Sequence, residues 1–229
     1  VSVVGDLPYR LRVLYTKRDR LRFLSHLEVT RAIERSARRA ALPYAVTEGF
    51  HAKMRVAFGP ALPVGTAGLA ECYELWLREY VPANEALARL QSATPSELEP
   101  LDARYVGVRS RSVTAVYTLA EYAVDIEGGA PESDCRAAVK AMIDDRIFTV
   151  EQKAKSKSFD LASVLLKEPV VRSTGERCAI ELMIRMGDQG SLRPESFVKA
   201  VLERSGGSGR IVSVTRTSLR EEESEARPS

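Results

Sequence analysis

One order of elements comes round twice in this chain. Residues 9 to 108 read strand, helix, strand, strand, helix, strand. Leu11, Val13 and Tyr15 alternate with Arg10, Arg12 and Leu14, and Leu21 and Phe23 resume the alternation after a Lys-Arg-Asp turn at 17–19. A basic helix follows. Segments 44–48 and 53–58 flank Gly49 as a bent strand pair, the Gly/Pro-rich stretch 59–68 is a loop, and 71–80 alternates again. Pro82 and Asn84 open a short helix, and 97–108 closes as a strand. A turn and short helix over 109–120 lead into the second round. There 121–127 is a strand, Gly128-Gly129 turns, and Pro131 opens a helix that buries Ala138, Val139, Met142 and Ile143. Segment 147–155 is a strand, and 158–168 fits either a short helix or a loop. Strands at 170–173 and 178–186 flank a Thr174-Gly175 turn. Pro194 opens a helix carrying Phe197, Val198, Val201 and Leu202, Gly206 and Gly207 stop it, and 211–219 closes the round. This order predicts an α+β chain of two tandem ferredoxin-like (βαββαβ) domains with antiparallel sheets, 1–110 and 111–220. The charged tail 221–229 is expected to be disordered. The duplication lies in element order, without a residue-level repeat.

A chain of 229 residues, 45 % apolar, has enough material for such cores. The formal charge is only +3, unevenly spread. Residues 1–60 hold 12 Lys and Arg against 5 Asp and Glu, whereas 61–150 hold 8 against 14. That split fits one surface for a polyanion and another for a different partner; a mixed, solvated surface is the plainer reading. Cys72, Cys135 and Cys178 lie far apart and are odd in number, which points to buried thiols in a reducing compartment. No secretory signal and no membrane-spanning apolar run is visible, so the expected location is cytoplasmic, with no membrane partner.

The basic helix is the clearest local signal. Ser25 and Glu28 form a capping box. Val29, Ile33, Ala37 and Ala40 fall on one face, Arg31, Arg35, Arg38 and Arg39 on the opposite face, and Pro43 marks the end. Guanidinium groups at one-turn spacing match a row of phosphates. Together with Lys53 and Arg55 on the next strand they are the candidate nucleic-acid-binding residues. A protein partner or a merely solvated helix are the other readings. Aromatic platforms are sparse: Tyr44 and Phe50 lie near the helix, Tyr9, Tyr15 and Phe23 on the sheet, and an RRM signature is missing.

The only two histidines flank this region. His26 projects within about 20° of Ile33 on the helical wheel, toward the buried side. A packed core histidine is the first reading, a substrate contact the second, and a general base the weakest. Ser25, His26, Glu48, Gly49, Phe50 and His51 make up a possible substrate loop. Two histidines without a carboxylate cluster predict no metal site, and no cofactor is expected. The 59–68 loop lacks a P-loop's Lys-Ser/Thr ending and reads as a connection.

The stretches FLSHLE at 23–28 and EGFHAKMRVAFGPALPVG at 48–65 resemble the bacterial radical SAM-linked protein family, domains of unknown function beside or fused to a radical SAM enzyme. AECYEL at 70–75, KSKSFDL at 155–161 and VTRTSL at 214–219 are similar to it more weakly. One departure stands out: His51-Ala52 occupies the place where the pattern has Asn-Pro after Gly-Phe. The resemblance implies a radical SAM enzyme as partner and a modification system acting on RNA; it supplies no catalytic residue. The chain lacks the closely spaced cysteine triplet that holds an iron–sulfur cluster, so it is not itself the radical enzyme. The expected function is a non-catalytic accessory module that presents tRNA or rRNA through the basic helix and docks its enzyme through the acidic middle. The rivals are a metal-independent RNA-processing enzyme with His26 as base and Lys53 stabilising charge, and a pure protein-interaction module.

Overall fold

The structure, a computed structural model, describes residues 9–48, 50–107, 109–152, 155–174, 177–187, 191–207 and 209–222. It is a mixed α+β chain that divides into two compact units, 1–117 and 118–229.

In the first unit, strands β1 (Tyr9–Lys17), β2 (Val56–Phe58), β3 (Ala67–Leu77) and β4 (Pro100–Val106) lie in the order β4-β1-β3-β2, every neighbour antiparallel. Helix α1 (His26–Arg39) connects β1 to β2, and α2 (Ala83–Ala93) connects β3 to β4. The register sets Leu11 opposite Leu75 and Val13 opposite Tyr73. Side chains alternate along a strand, so these residues share one face. Val29, Ile33 and Ala37 of α1 and Ala86 and Leu90 of α2 pack there to form the core. The alternate set, Arg10, Arg12, Cys72 and Glu74, is buried as well. Residues 110–117, with the short α3 (Val113–Val116), cover it.

Two expectations fail in this unit. Residues 19–23 are not a strand but a 3-10 turn, Asp19–Phe23, entered through Asp19 at φ 50°. Because β1 already pairs with β3 on one side and β4 on the other, no edge remains for a hairpin partner. Of the bent pair around Gly49, only β2 is a strand; Tyr44–Leu77 and Val46–Met54 are isolated bridges. Gly49 lies outside the described residues.

In the second unit, β5 (Leu119–Glu127), β8 (Val170–Thr174), β9 (Arg177–Arg185) and β10 (Arg210–Arg220) stand in the antiparallel order β10-β5-β9-β8. Helices α4 (Glu132–Asp145) and α6 (Pro194–Arg204) bury Val139, Met142, Phe197 and Val201 against Val124, Ile126, Ile180 and Ile184. Between α4 and β8 the chain inserts a separate hairpin, β6 (Ile147–Gln152) and β7 (Lys155–Asp160), then the one-turn α5 (Leu161–Val164). Segment 158–168, expected as helix or loop, is therefore strand to residue 160. The hairpin base is closed by the Arg146–Asp160 ion pair at 3.0 Å and by Leu161 N–H donating to the Arg146 carbonyl at 2.8 Å. At the tail, Glu222 pairs with Arg185 at 2.5 Å. The Thr174-Gly175 turn and residues 223–229 reach beyond the described residues.

Candidate functional site

Helix α1 starts where the sequence places it. The Ser25 hydroxyl accepts from the Glu28 N–H, and the Glu28 carboxylate accepts from the Ser25 N–H at 2.8 Å and its hydroxyl at 2.7 Å. These bonds satisfy amides that the first helical turn cannot pair internally. The hydroxyl bond, then the backbone bond, hold the Glu28 carboxyl below its ordinary value. With Val29, Ile33, Ser36 and Ala37 buried, the opposite face is fixed toward solvent. Arg31, Arg35, Arg38 and Arg39 are all exposed on it.

Their local partners are few. Arg38 lies 3.5 Å from Glu34 and 6.0 Å from the centre of the Tyr44 ring. Among the described residues no ion pair engages Arg35, Arg39 or Lys53. Lys53 sits not on a strand but beside Thr47. Its carbonyl accepts from Thr47 N–H at 2.8 Å and its N–H donates to the Thr47 hydroxyl at 3.1 Å. Arg55 does not join the helix row. Val56 pairs with Leu75 on the core face, which sends Arg55 to the other side, where its guanidinium lies 4.8 Å from the Trp76 ring centre. Glu48, Phe50 and His51 are exposed, with Phe50 fully out in solvent.

His26 is exposed rather than packed in the core. Its ring stands edge-to-face on Phe58 at 5.2 Å. Beneath it is a cavity of about 20 Å³ lined by Tyr15, Lys17, Glu71, Cys72 and the 59–62 loop. That volume admits one water and no nucleobase. The buried Lys17 ammonium donates to the Leu24 carbonyl at 2.8 Å and so ties β1 to the residue before the helix cap. Burial pushes the Cys72 thiol up to about 12, which removes it as a nucleophile near neutral pH. The structure thus brings His26 together with Lys17 and Glu71, two residues the sequence did not single out. It does not bring His26 to Lys53. Lys17 ends β1 facing Gly68, and Glu71 lies inside β3 facing Tyr15, a pairing that only the strand register reveals.

Among the described residues no three His, Cys, Asp or Glu side chains are grouped to hold a metal ion, and no helix is long and apolar enough to cross a membrane.

A family model, described as an uncharacterized protein conserved in bacteria (DUF2344), matches residues 10–194. The chain belongs to the DUF2344 family. The matched span of this DUF2344 chain takes in α1, the His26 cavity and most of the second unit. The family description names no activity. No curated protein matches the chain. Among solved structures it is similar to a crystal structure of a Cbf5-Nop10-Gar1 complex, at 11 % identity and TM-score 0.49, over 95 % of this chain and 51 % of that one. It is also similar to an unknown protein from Galdieria sulphuraria, at 12 % identity and TM-score 0.26, over 93 % and 98 %. The DUF2344 chain spans about half the length of the first of these structures.

Proposed function

We propose that this DUF2344 chain is a non-catalytic accessory module of a radical SAM modification system, presenting RNA (tRNA or rRNA) through α1 and docking its enzyme through the acidic stretch 61–150. One observation carries the RNA part. A helix anchored along its whole apolar stripe holds four arginines in solvent, of which Arg35 and Arg39 have no acidic partner among the described residues. Unpaired, pre-positioned guanidinium groups lose little on meeting phosphates and release counterions when they do. The enzyme partner rests on the motif resemblance at 23–28 and 48–65. The setting is cytoplasmic in this reading. We take each unit as ferredoxin-like, in support of which the strand orders β4-β1-β3-β2 and β10-β5-β9-β8 are the same order after removal of the β6–β7 hairpin.

The test is fluorescence anisotropy with bulk tRNA and a structured rRNA fragment at about 50 and 200 mM salt. Binding that weakens steeply with salt, and whose salt slope falls by about 1 for each arginine reversed in Arg35→Glu/Arg39→Glu, is the expected result. Unchanged affinity in that variant sinks the reading. RNA cleavage without metal, lost in His26→Ala, would instead favour the enzyme reading. Co-purification with a radical SAM enzyme at high salt without RNA would favour the interaction module.

A further inference from the structure

Three tyrosines close the end of the first unit's sheet. Tyr9 at the start of β1, Tyr80 beyond β3 and Tyr105 on β4 have ring centres 5.6, 5.3 and 6.0 Å apart in pairs. Tyr105 has a structural duty: its hydroxyl donates to the Val81 carbonyl at 2.7 Å and accepts from the Val81 N–H at 3.3 Å. Tyr9 and Tyr80 make no such bond among the described residues, and they are 43 % and 59 % exposed. Exposed rings held against one another lose little freedom when a flat partner stacks on them.

The cluster sits beside the C-terminal end of α1. Arg38 lies over Tyr44, Tyr44 bridges Leu77, and Leu77 pairs with Tyr9. At about 4.8 Å per strand, Tyr44 and Tyr9 stand about 10 Å apart across the sheet. Arg78, whose N–H donates to the Pro43 carbonyl at 2.7 Å, lies between the helix end and Tyr80. Glu79 is exposed next to it, so the ring cluster gains little net positive charge of its own.

We propose that Tyr9 and Tyr80, backed by Tyr105, are a base-stacking platform for an unpaired segment of the RNA whose phosphates lie along α1. The proposal rests on the RNA reading of α1 and adds its substrate class: RNA with an unpaired stretch at least a few nucleotides long, taken by ring faces that do not select the base. A duplex, whose bases are already stacked, engages only the arginines.

The two contributions separate by their salt dependence. The probe is a short single-stranded oligoribonucleotide carrying 2-aminopurine, against a blunt duplex of the same length. Tyr80→Ala is expected to weaken single-strand binding about tenfold, the usual size for loss of one stacked base. It should leave the salt slope and duplex binding unchanged, and abolish the 2-aminopurine quenching. Tyr80→Phe keeps the ring and should bind as wild type, which separates stacking from any loss of fold. Arg35→Glu/Arg39→Glu should lower the salt slope for both probes. Equal single-strand affinity in Tyr80→Ala and wild type overturns the platform while leaving the α1 reading intact. Absence of binding to either probe by the wild-type chain overturns both.

Discussion

Arg10 donates through Nε and Nη2 to one oxygen of Glu74, at 3.0 and 2.6 Å, and that carboxylate has no exposed surface. Arg12 makes the same fork on the other oxygen, at 3.0 and 2.7 Å. Arg10 also donates to the Ser110 and Arg111 carbonyls at 2.8 and 3.1 Å, which draws the 110–117 segment over the sheet. Burial works against the Arg12 charge, yet its hydrogen bond and attraction to Glu74 outweigh that and raise its pKa above the ordinary value.

Removal of the shared carboxylate should be severe. Glu74→Ala leaves two buried guanidinium groups facing each other without their acceptor, a loss of about 3–5 kcal/mol by analogy with broken buried pairs. Replacing all three residues by Met should cost far less, because no unpaired charge remains. Urea midpoints of the two variants decide this. A Glu74→Ala midpoint equal to wild type would mean that water reaches the cluster.

That cluster also shows where sequence reading stops. Alternation in 71–80 separates Cys72, Glu74 and Trp76 from Tyr73, Leu75 and Leu77, and the charged set then looks like the wet face. What buries it arrives from outside the strand, at Ser110 and Arg111, a hundred residues beyond their partner Arg10, and no local pattern announces that. Helix α1 was legible because a capping box, an apolar stripe and a run of arginines all obey short-range rules. His26 was misplaced for a geometric reason. It shares an azimuth with Ile33 but lies seven residues earlier, about 10 Å along the axis, where its neighbour is Phe58 and not the core. The β6–β7 hairpin was half-read, since the polar alternation of 155–160 runs straight into α5 with no turn residue between them.

Cys72 should resist alkylation in the folded chain. With burial holding its thiol at about 12 against an ordinary 9.0, the reactive thiolate is scarce near neutral pH, and the side chain is only 2 % exposed. Iodoacetamide labelling of the Cys72 peptide, followed by mass spectrometry, should be at least about a thousandfold slower in native buffer than in urea. Comparable rates would contradict its burial beneath the 110–117 segment, where Tyr117 lies against it.

Two glycines in the second unit should respond differently to alanine. A Cβ on Gly207 would stand 2.5 Å from the Ala130 nitrogen and 3.1 Å from its Cβ, and backbone cannot step aside as a flexible side chain does. Gly207→Ala should cost about 3 kcal/mol as an overpacked site. Gly128 has open space around it but a φ of 67°, so Gly128→Ala should cost only about 1 kcal/mol, from left-handed backbone strain. Thermal midpoints order the two. The reverse order would mean that the 129–130 turn moves freely away from residue 207.

The α1 cap should make stability pH-dependent in a defined direction. Glu28 is held below its ordinary 4.5, first by the Ser25 hydroxyl and then by the Ser25 N–H. A carboxyl with a depressed folded-state pKa contributes stability that is fully present above its unfolded value. That contribution disappears as the pH falls through the folded value. The stability gap between wild type and Glu28→Gln should therefore be largest near neutral pH and vanish well below 4.5. Ser25→Ala should cost about 1 kcal/mol as a lost N-cap. It should also return the Glu28 carboxyl to its ordinary range, because both the hydroxyl donor and the well-defined cap geometry are gone. An NMR titration of the Glu28 side chain in wild type and Ser25→Ala reads this directly. Coincident titration curves would show that Ser25 and Glu28 do not hold each other in solution, and that α1 relies on its buried stripe alone to present its arginines.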